Sequence, residues 1–486
     1  MKNLNRRRVL LGGLAASGAL PMPFLSKAAG AQESGDAERL FAELDEKILK
    51  GMEDFSIPGS AVSVVYRGRE HVRGFGVANI GQPAPVDAET VFRLASNSKT
   101  YTGAAAMRLV ESGQLEFDRP VRSYVKDFEA PGAEDVTVRQ VLNHSAGWLG
   151  YDYHGTGSDS GALARYVEDI RKLPQLTPVG MTFSYNNAAL SVAGRVIEVV
   201  TGGSYESSIQ NLLFEPLGFQ RSLFSEDAPD IGNVATPHDF EDGKAISAPE
   251  MFHLPRSNNP FAGVLSCAQD QLAYLRFLLG DGRAADGRRV MSAAALQDMW
   301  SKPGPGGTLM VELVGVGVSW MIRPTAEGVR VVQHGGDLPG FHSGFIMVPE
   351  RRFGMALLTN SERGPKLLAE LFTDDWALRR FAGVSNLPAT PSERSAAELA
   401  PFEGVYRAEQ IGFTGPEVKF AIQMKAKDGA LSMAHVGDDS PPTTLTFYKE
   451  DYVIVEGIGA RANFLHNPDG TVAWFRLGGR LFRRDA

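Results

Sequence analysis

The hydropathy pattern changes character once, in the stretch LPATPSERSAAELAP at residues 387–401. Upstream, helical and strand signals alternate over more than 300 residues. Downstream, apolar residues recur almost strictly at every second position. Val418, Phe420, Ile422 and Met424 interleave with Lys419, Ala421, Gln423 and Lys425, the period of a half-buried strand. Turn signals at Asp428-Gly429 and Asp469-Gly470 and the run VAWFRL continue the pattern. A chain with this switch has to build two cores, and its 486 residues suffice for both. The reading is a mixed domain over residues 32–386, a linker at 387–396 and a small all-β domain over 397–486.

Inside the first domain, Leu40, Phe41, Leu44 and Ile48 fall at helical spacing within 37–52. Two β-rich runs, 60–66 and 71–77, flank Arg67-Gly68-Arg69-Glu70 and read as a hairpin. From 98 to 320 the signals are mainly helical. Strands return at 329–333, 343–348 and 353–358, before a helix at 365–381. The fold class expected is therefore α+β: an antiparallel sheet flanked by helices, with a large helical insertion.

The opening 31 residues read as an address. Asn5-Arg6-Arg7-Arg8-Val9-Leu10-Leu11 leads into a Gly/Ala-rich apolar stretch, and Ala29-Gly30-Ala31 is a small-x-small cleavage pattern. This predicts twin-arginine-type export to the periplasm or beyond, a mature chain from Gln32, and no membrane span once the leader is gone. Cys267 is the only cysteine, which rules out an internal disulfide and a thiolate metal cluster. A net charge of -8 offers no footprint for nucleic acid. No metal or cofactor is expected, the partner is a small-molecule or peptide substrate, and the pattern leaves the oligomeric state open.

Three short constellations can carry chemistry. Ser96-Asn97-Ser98-Lys99 places a hydroxyl and an ammonium on one helix face. For Lys99 to accept a proton near neutrality its pKa, ordinarily about 10.4, has to fall through burial or a neighbouring cation. The same spacing at Ser123 and Lys126 reads as a solvated surface. Tyr185-Asn186-Asn187 offers a phenol and an amide ahead of an apolar helix, which either asparagine could instead cap. His334-Gly335-Gly336 follows a strand, where glycines would admit a substrate backbone to the strand edge.

In this order the three resemble the motifs of the penicillin-recognising serine hydrolases. Phe92-Arg93-Leu94-Ala95-Ser96-Asn97-Ser98-Lys99 is similar to the nucleophile segment of class C β-lactamases and their esterase and D-peptidase relatives. Val141 to Gly147, Pro260-Phe261-Ala262-Gly263 through Asp270, and His334 to Asn360 resemble further segments, so that the likeness runs from about 37 to 382. It implies a β-lactamase/transpeptidase-like sandwich in which Ser96 attacks a carbonyl, Lys99 and Tyr185 share the proton, and Asn187 meets the substrate amide. His334, Gly335 and Gly336 line the far side, and the backbone N–H groups of Ser96 and Asp337 form the oxyanion hole, with the Asp337 carboxylate turned away or paired. His144 has a structural role by the same likeness. His334 stands where class C enzymes carry a lysine, so the cation that grips a penicillin carboxylate is missing. The resemblance therefore implies an ester or amide hydrolase of esterase or D-peptidase type with at most weak β-lactamase activity. A penicillin-binding sensor that acylates without turnover and an acyl transferase to an amine are the alternatives. The C-terminal domain resembles lipocalin-like modules and is expected to add no chemistry, so that a chain cut at 396 would still acylate Ser96. A histidine titrating near pH 6.5 at position 334 would raise the preference for carboxylate substrates toward pH 6.

Overall fold

The computed structural model describes residues 24–150, 154–224, 231–412, 415–427 and 429–485. Most of the expected leader, residues 1–23, lies outside them. Five helices frame the sheet and the site: α1 (Phe24–Phe55), α2 (Ser98–Glu111), α3 (Asn187–Thr201), α4 (Ala268–Leu279) and α5 (Gly364–Leu368). Helix α1 runs well beyond the expected 37–52. Its inward stripe includes Ala37, Leu40, Phe41, Leu44, Ile48 and Met52.

Seven strands form the central sheet: β1 (Gly59–Tyr66), β2 (Arg69–Gly76), β3 (Gly315–Val316), β4 (Met321–Arg323), β5 (Val331–Leu338), β6 (Phe341–Val348) and β7 (Phe353–Thr359). Their order is β2-β1-β7-β6-β5-β4-β3, with every neighbouring pair antiparallel. The β1–β2 hairpin turns on two residues rather than four. Arg67 and Gly68 both have positive φ, the tight turn whose twist matches the strands. Successive residues of β1 face opposite cores: Val62 and Val64 pack with α1 residues, Ala61 and Val65 with the larger core that includes α2, α3 and α4. Burial on both faces makes this sheet the middle layer of a sandwich and removes the polar/apolar alternation from its sequence.

Three expectations need correction. The segment 98–320, expected to be mainly helical, also holds strands: the hairpin His238–Glu241/Lys244–Ser247, the hairpin Gly307–Leu309/Val311–Leu313, and the strand Leu265–Cys267 paired with Val91–Arg93. Strands of three or four residues are too short to show a period. The helix expected at 365–381 breaks after a wide turn at Ala369–Thr373, beside Asp375 with its φ of 59°, and resumes at 376, ending in a second wide turn at Leu378–Ala382. The strand expected to stop at Gln333 runs on through His334, Gly335, Gly336 and Asp337. Because β4 pairs only with Val331–Gln333, β5 has a free edge from His334 onward.

The second core is a closed antiparallel barrel of eight strands, β8 (Gly404–Gly412), β9 (Gly415–Lys427), β10 (Ala430–His435), β11 (Thr443–Phe447), β12 (Tyr452–Val455), β13 (Ala460–His466), β14 (Val472–Leu477) and β15 (Arg480–Arg484). Closure leaves no sheet edge. Its core is filled with side chains, among them Tyr406, Met424, Leu431, Phe447, Phe464 and Phe475, while Phe402 from the preceding turn packs at a tilt on Phe447 and Phe464, with ring centroids at 4.9 and 4.6 Å. A barrel of this strand number is just wide enough for such filling. Of the alternating residues read from sequence, Ile422 and Met424 are buried but Phe420 is exposed.

Candidate active site

Ser96 sits in a 3-10 turn, Ala95–Asn97, that feeds directly into α2. Ala95 immediately before it has a φ of 50°, a left-handed conformation that a residue with a Cβ adopts only under constraint. The constraint comes from a buried network. Asn97 Nδ2 donates to Ser343 Oγ at 2.7 Å, Ser343 Oγ donates to the Leu94 carbonyl at 2.6 Å, and Ser98 Oγ accepts from Val264 N at 2.9 Å. These bonds tie the turn to β6 and to the segment after Phe261. The free edge of β5 closes on it from the side: a Cβ at Gly336 would lie 2.1 Å from the Leu94 carbonyl oxygen and 2.4 Å from Ser343 Oγ. Gly336 is thus required by the protein's own backbone. Gly335, with nothing nearer than 3.8 Å to a built Cβ and its surface exposed, is the glycine that leaves the edge open.

Lys99, one turn further along α2, is fully buried. Its Nζ donates to Ser96 Oγ at 2.9 Å and to the Phe261 carbonyl at 2.9 Å, and lies 5.0 Å from the Tyr185 ring centroid. Among the described residues no carboxylate pairs with it. Burying an ammonium without a counter-charge is costly, so burial, and next the Arg480 guanidinium, push its pKa well below the ordinary lysine value. Tyr185 is 8 % exposed. His144, itself buried and in a left-handed conformation (φ 60°), stacks on it at 4.5 Å.

The two asparagines after Tyr185 divide the work. Asn186 is the cap: its Oδ1 accepts from Ala189 N at 2.9 Å and its Nδ2 donates to the Trp148 carbonyl at 3.0 Å. Asn187 is the first residue of α3, buried, with its backbone N donating to the Gly150 carbonyl at 2.8 Å. That leaves the Asn187 amide as the side chain of the pair not used as the cap.

His334 lies inside the site, its ring centroid 6.4 Å from that of Tyr185. The Gly335 carbonyl, 2.6 Å from Nδ1, can only accept, so Nδ1 carries the proton and Nε2 is an acceptor. Nε2 is buried with no partner among the described residues. Burial, reinforced by the Lys99 charge, pushes His334 down to about 3. The expectation of a histidine charging near pH 6 finds no support in this setting: burial favours the neutral ring, and what that ring offers a substrate is a hydrogen-bond acceptor. Asp337 faces the other way, 80 % exposed, with its carboxylate held by His342 Nδ1 on the paired strand. Ser123 and Lys126 lie apart from this site, Lys126 donating to the Ser123 carbonyl on the exposed surface.

What the sequence did not show is a contribution from the barrel. The turn between β14 and β15, Gly478-Gly479, has both residues at positive φ, and it reaches the Tyr185 segment. Tyr185 N donates to the Gly479 carbonyl at 2.8 Å, and Arg480 Nη1 donates to the Tyr185 carbonyl at 3.1 Å with its guanidinium 5.2 Å from the ring centroid. Arg476 on β14, 1 % exposed, donates to Thr182 Oγ1 and to Asn463 Oδ1. Leu477-Gly478-Gly479-Arg480 signals a hairpin, but nothing in it signals where the hairpin docks.

Comparison with known proteins agrees with this architecture. A Beta-lactamase family profile matches residues 44–379. Penicillin-binding protein 4 of Amycolatopsis lactamdurans is 32% identical over 361 residues, covering 73% of this chain and 94% of that protein. An unguisins hydrolase of Aspergillus violaceofuscus is 24% identical over 360 residues, 68% of this chain and 63% of its own length. Among solved structures, SurE superposes with a TM-score of 0.74 over 93% of this chain and 99% of its own, at 23% identity. The octameric penicillin-binding protein homologue from Pyrococcus abyssi gives 0.60 over 92% and 98%. Both of these structures extend the likeness past residue 401, into the region of the barrel, as a likeness of fold alone. With two-thirds of its length matched by the family profile and a buried serine–lysine pair at the head of α2, the chain belongs to the β-lactamase family.

Proposed function

We propose that the protein is an exported serine hydrolase that cleaves ester or amide bonds of esterase or D-peptidase type through an acyl-enzyme on Ser96. The observation that carries this reading is the 2.9 Å bond between Lys99 Nζ and Ser96 Oγ inside a site where burial and Arg480 favour the neutral amine. A neutral amine at that distance takes the hydroxyl proton as Ser96 Oγ attacks the carbonyl carbon. Tyr185, beside the same Nζ, passes the proton to the leaving group. The carbonyl oxygen becomes an oxyanion held by the N–H groups of Ser96 and Asp337, each worth on the order of 10²–10³ in rate. Asn187 and His334 Nε2 take the substrate's amide and N–H groups, and water then attacks the ester carbonyl to release the acid and return the proton to Ser96. His334 supplies no positive charge, which supports weak rather than efficient β-lactamase activity.

Residues 1–31 are the proposed twin-arginine leader, and the barrel the proposed lipocalin-like module. Acyl transfer to an amine is the second reading. It is favoured by the strand edge left open at the exposed Gly335, which leaves room for an acceptor, and a relative in fold, EstCE1, is described as a hydrolase with promiscuous acyltransferase activity. The test is a panel of short-chain esters, D-amino-acid amides and a chromogenic cephalosporin, with and without added amine, on protein starting at Gln32. Ser96→Ala is expected to abolish turnover and Lys99→Ala to fail nearly as badly. A fluorophosphonate adduct that maps to any residue other than Ser96 would sink the proposal.

A further inference from the structure

Outside the catalytic centre, the seam between the two bodies holds a cavity of about 160 Å³. From the sandwich it is lined by Met310, Glu312, Arg323 and Asp374, and from the barrel by Gly459 and Arg461. Arg323 is 2 % exposed. Its Nη1 and Nη2 donate to the carbonyls of Phe372 and Thr373 at 2.8 and 3.1 Å. These carbonyls end a helical turn whose negative pole offsets part of the guanidinium charge. Its Nε is buried with no partner among the described residues. Arg461 stacks over Tyr448 at 4.7 Å, and its Nη1 is likewise buried and unpartnered.

Among the described residues neither arginine makes an ion pair. Glu312, which lines the same cavity, is engaged by Tyr448 Oη at 3.1 Å and by Lys449 Nζ, and the Asp375 carboxylate near Arg323 is taken by Arg379. The seam therefore concentrates two cations with unmet N–H donors, a rare arrangement because buried charges are ordinarily paired. Burial brings Arg323 down to about 10, although the Asp375 and Asp374 carboxylates pull the other way more strongly than Arg461 adds to the fall.

We propose that this cavity is a binding site for a small carboxylate monoanion, held between Arg323 Nε and Arg461 Nη1 and bridging the barrel to the sandwich. The volume is well above what a single water needs and leaves room for an acetate-sized group with some hydration. Charge-assisted bonds to guanidinium are the strongest the site can form. Asp374, exposed at the rim, repels a dianion and so selects a carboxylate over phosphate. Since the two donors come from different bodies, occupancy stabilises their docking, and the effect is independent of what Ser96 does.

The experiment is thermal melting of the full chain in sodium acetate against sodium chloride at equal ionic strength, with sodium phosphate as a third arm. Acetate at saturation is expected to raise Tm by about 2 °C or more over chloride, and phosphate by less. Arg461→Gln should lose the acetate increment. Asp374→Asn, an exposed change that spares the fold, should lower the half-saturating acetate concentration several-fold. Equal melting in acetate and chloride, an undiminished response in Arg461→Gln, or an unchanged half-saturation in Asp374→Asn overturns the site.

Discussion

His342 shows how much a single side chain's surroundings decide. It is 5 % exposed, with Nδ1 bonded to Asp337 and Nε2 3.1 Å from Glu362, whose carboxylate also accepts from Gly340 N at 3.2 Å. Burial opposes a charge on the ring, but the two carboxylates outweigh it and raise the His342 pKa, while the bond to His342 lowers that of Glu362. The raised histidine contributes stability that is complete below its unfolded value, about 6.5, and is lost as pH rises through the folded one. The lowered Glu362 contributes stability present above its unfolded value, about 4.3, and lost as pH falls through the folded one. Between those limits the cluster clamps the β5–β6 turn and keeps the Asp337 carboxylate off the proposed oxyanion hole. Urea unfolding should therefore find His342→Gln less stable than the parent by about 2 kcal/mol at pH 6, with the difference shrinking toward pH 9. A difference that does not depend on pH would mean that the ring matters for packing alone. His334, eight residues earlier, is the converse case, since burial without a carboxylate leaves it neutral.

At the scale of an element, β5 matters because its edge is free and because it lies against the turn that carries Ser96. Gly336→Ala would put a methyl 2.1 Å from the Leu94 carbonyl oxygen, and backbone cannot rotate away as a side chain can. The strand has to shift by about 1 Å, a displacement that typically costs about 10²-fold in rate. Steady-state kinetics should show that loss in kcat/KM while cooperative melting persists, and an unchanged kcat/KM would show that the strand edge is not part of the machinery. Much of this element was legible in the sequence. The β-branched run before His334 announced a strand, and the spacing of Ser96, Lys99 and Tyr185 along the chain suited residues that the fold brings together. The reach of the strand through two glycines was not legible, because glycine lowers strand propensity and the close approach that demands it is tertiary. Asn186 and Asn187 were equivalent on paper, and only the path of the chain past Trp148 and Gly150 separates the cap from the buried amide. The strands inside 98–320 are not legible because runs of two to four residues carry no period.

For the whole molecule, the linker was a correct division of patterning and a misleading division of chemistry. The expectation that a chain ending at 396 would keep its site does not fit a barrel whose β14–β15 turn bonds Tyr185 through Gly479 and places the Arg480 guanidinium over its ring. Arg476 ties the barrel to the same segment through its bond to Thr182 Oγ1, although burial without a carboxylate partner among the described residues pushes its pKa down to about 10. The barrel's filled core leaves docking as its visible contribution. The electrostatic consequence can be measured in the full chain. Arg480 is the charged neighbour that, after burial, holds the Lys99 pKa down, so removing it lets that pKa rise. If Lys99 is the base, the acid limb of kcat/KM reports its pKa in the free enzyme. In Arg480→Ala that limb should move to higher pH, leaving less active enzyme at neutrality. In Arg480→Lys the positive charge remains and the limb should stay near its original position even if kcat drops from the altered hydrogen bond. A purely structural arginine would lower activity equally at every pH in both variants, and an acid limb that does not move in Arg480→Ala would reject electrostatic tuning of Lys99 by the barrel.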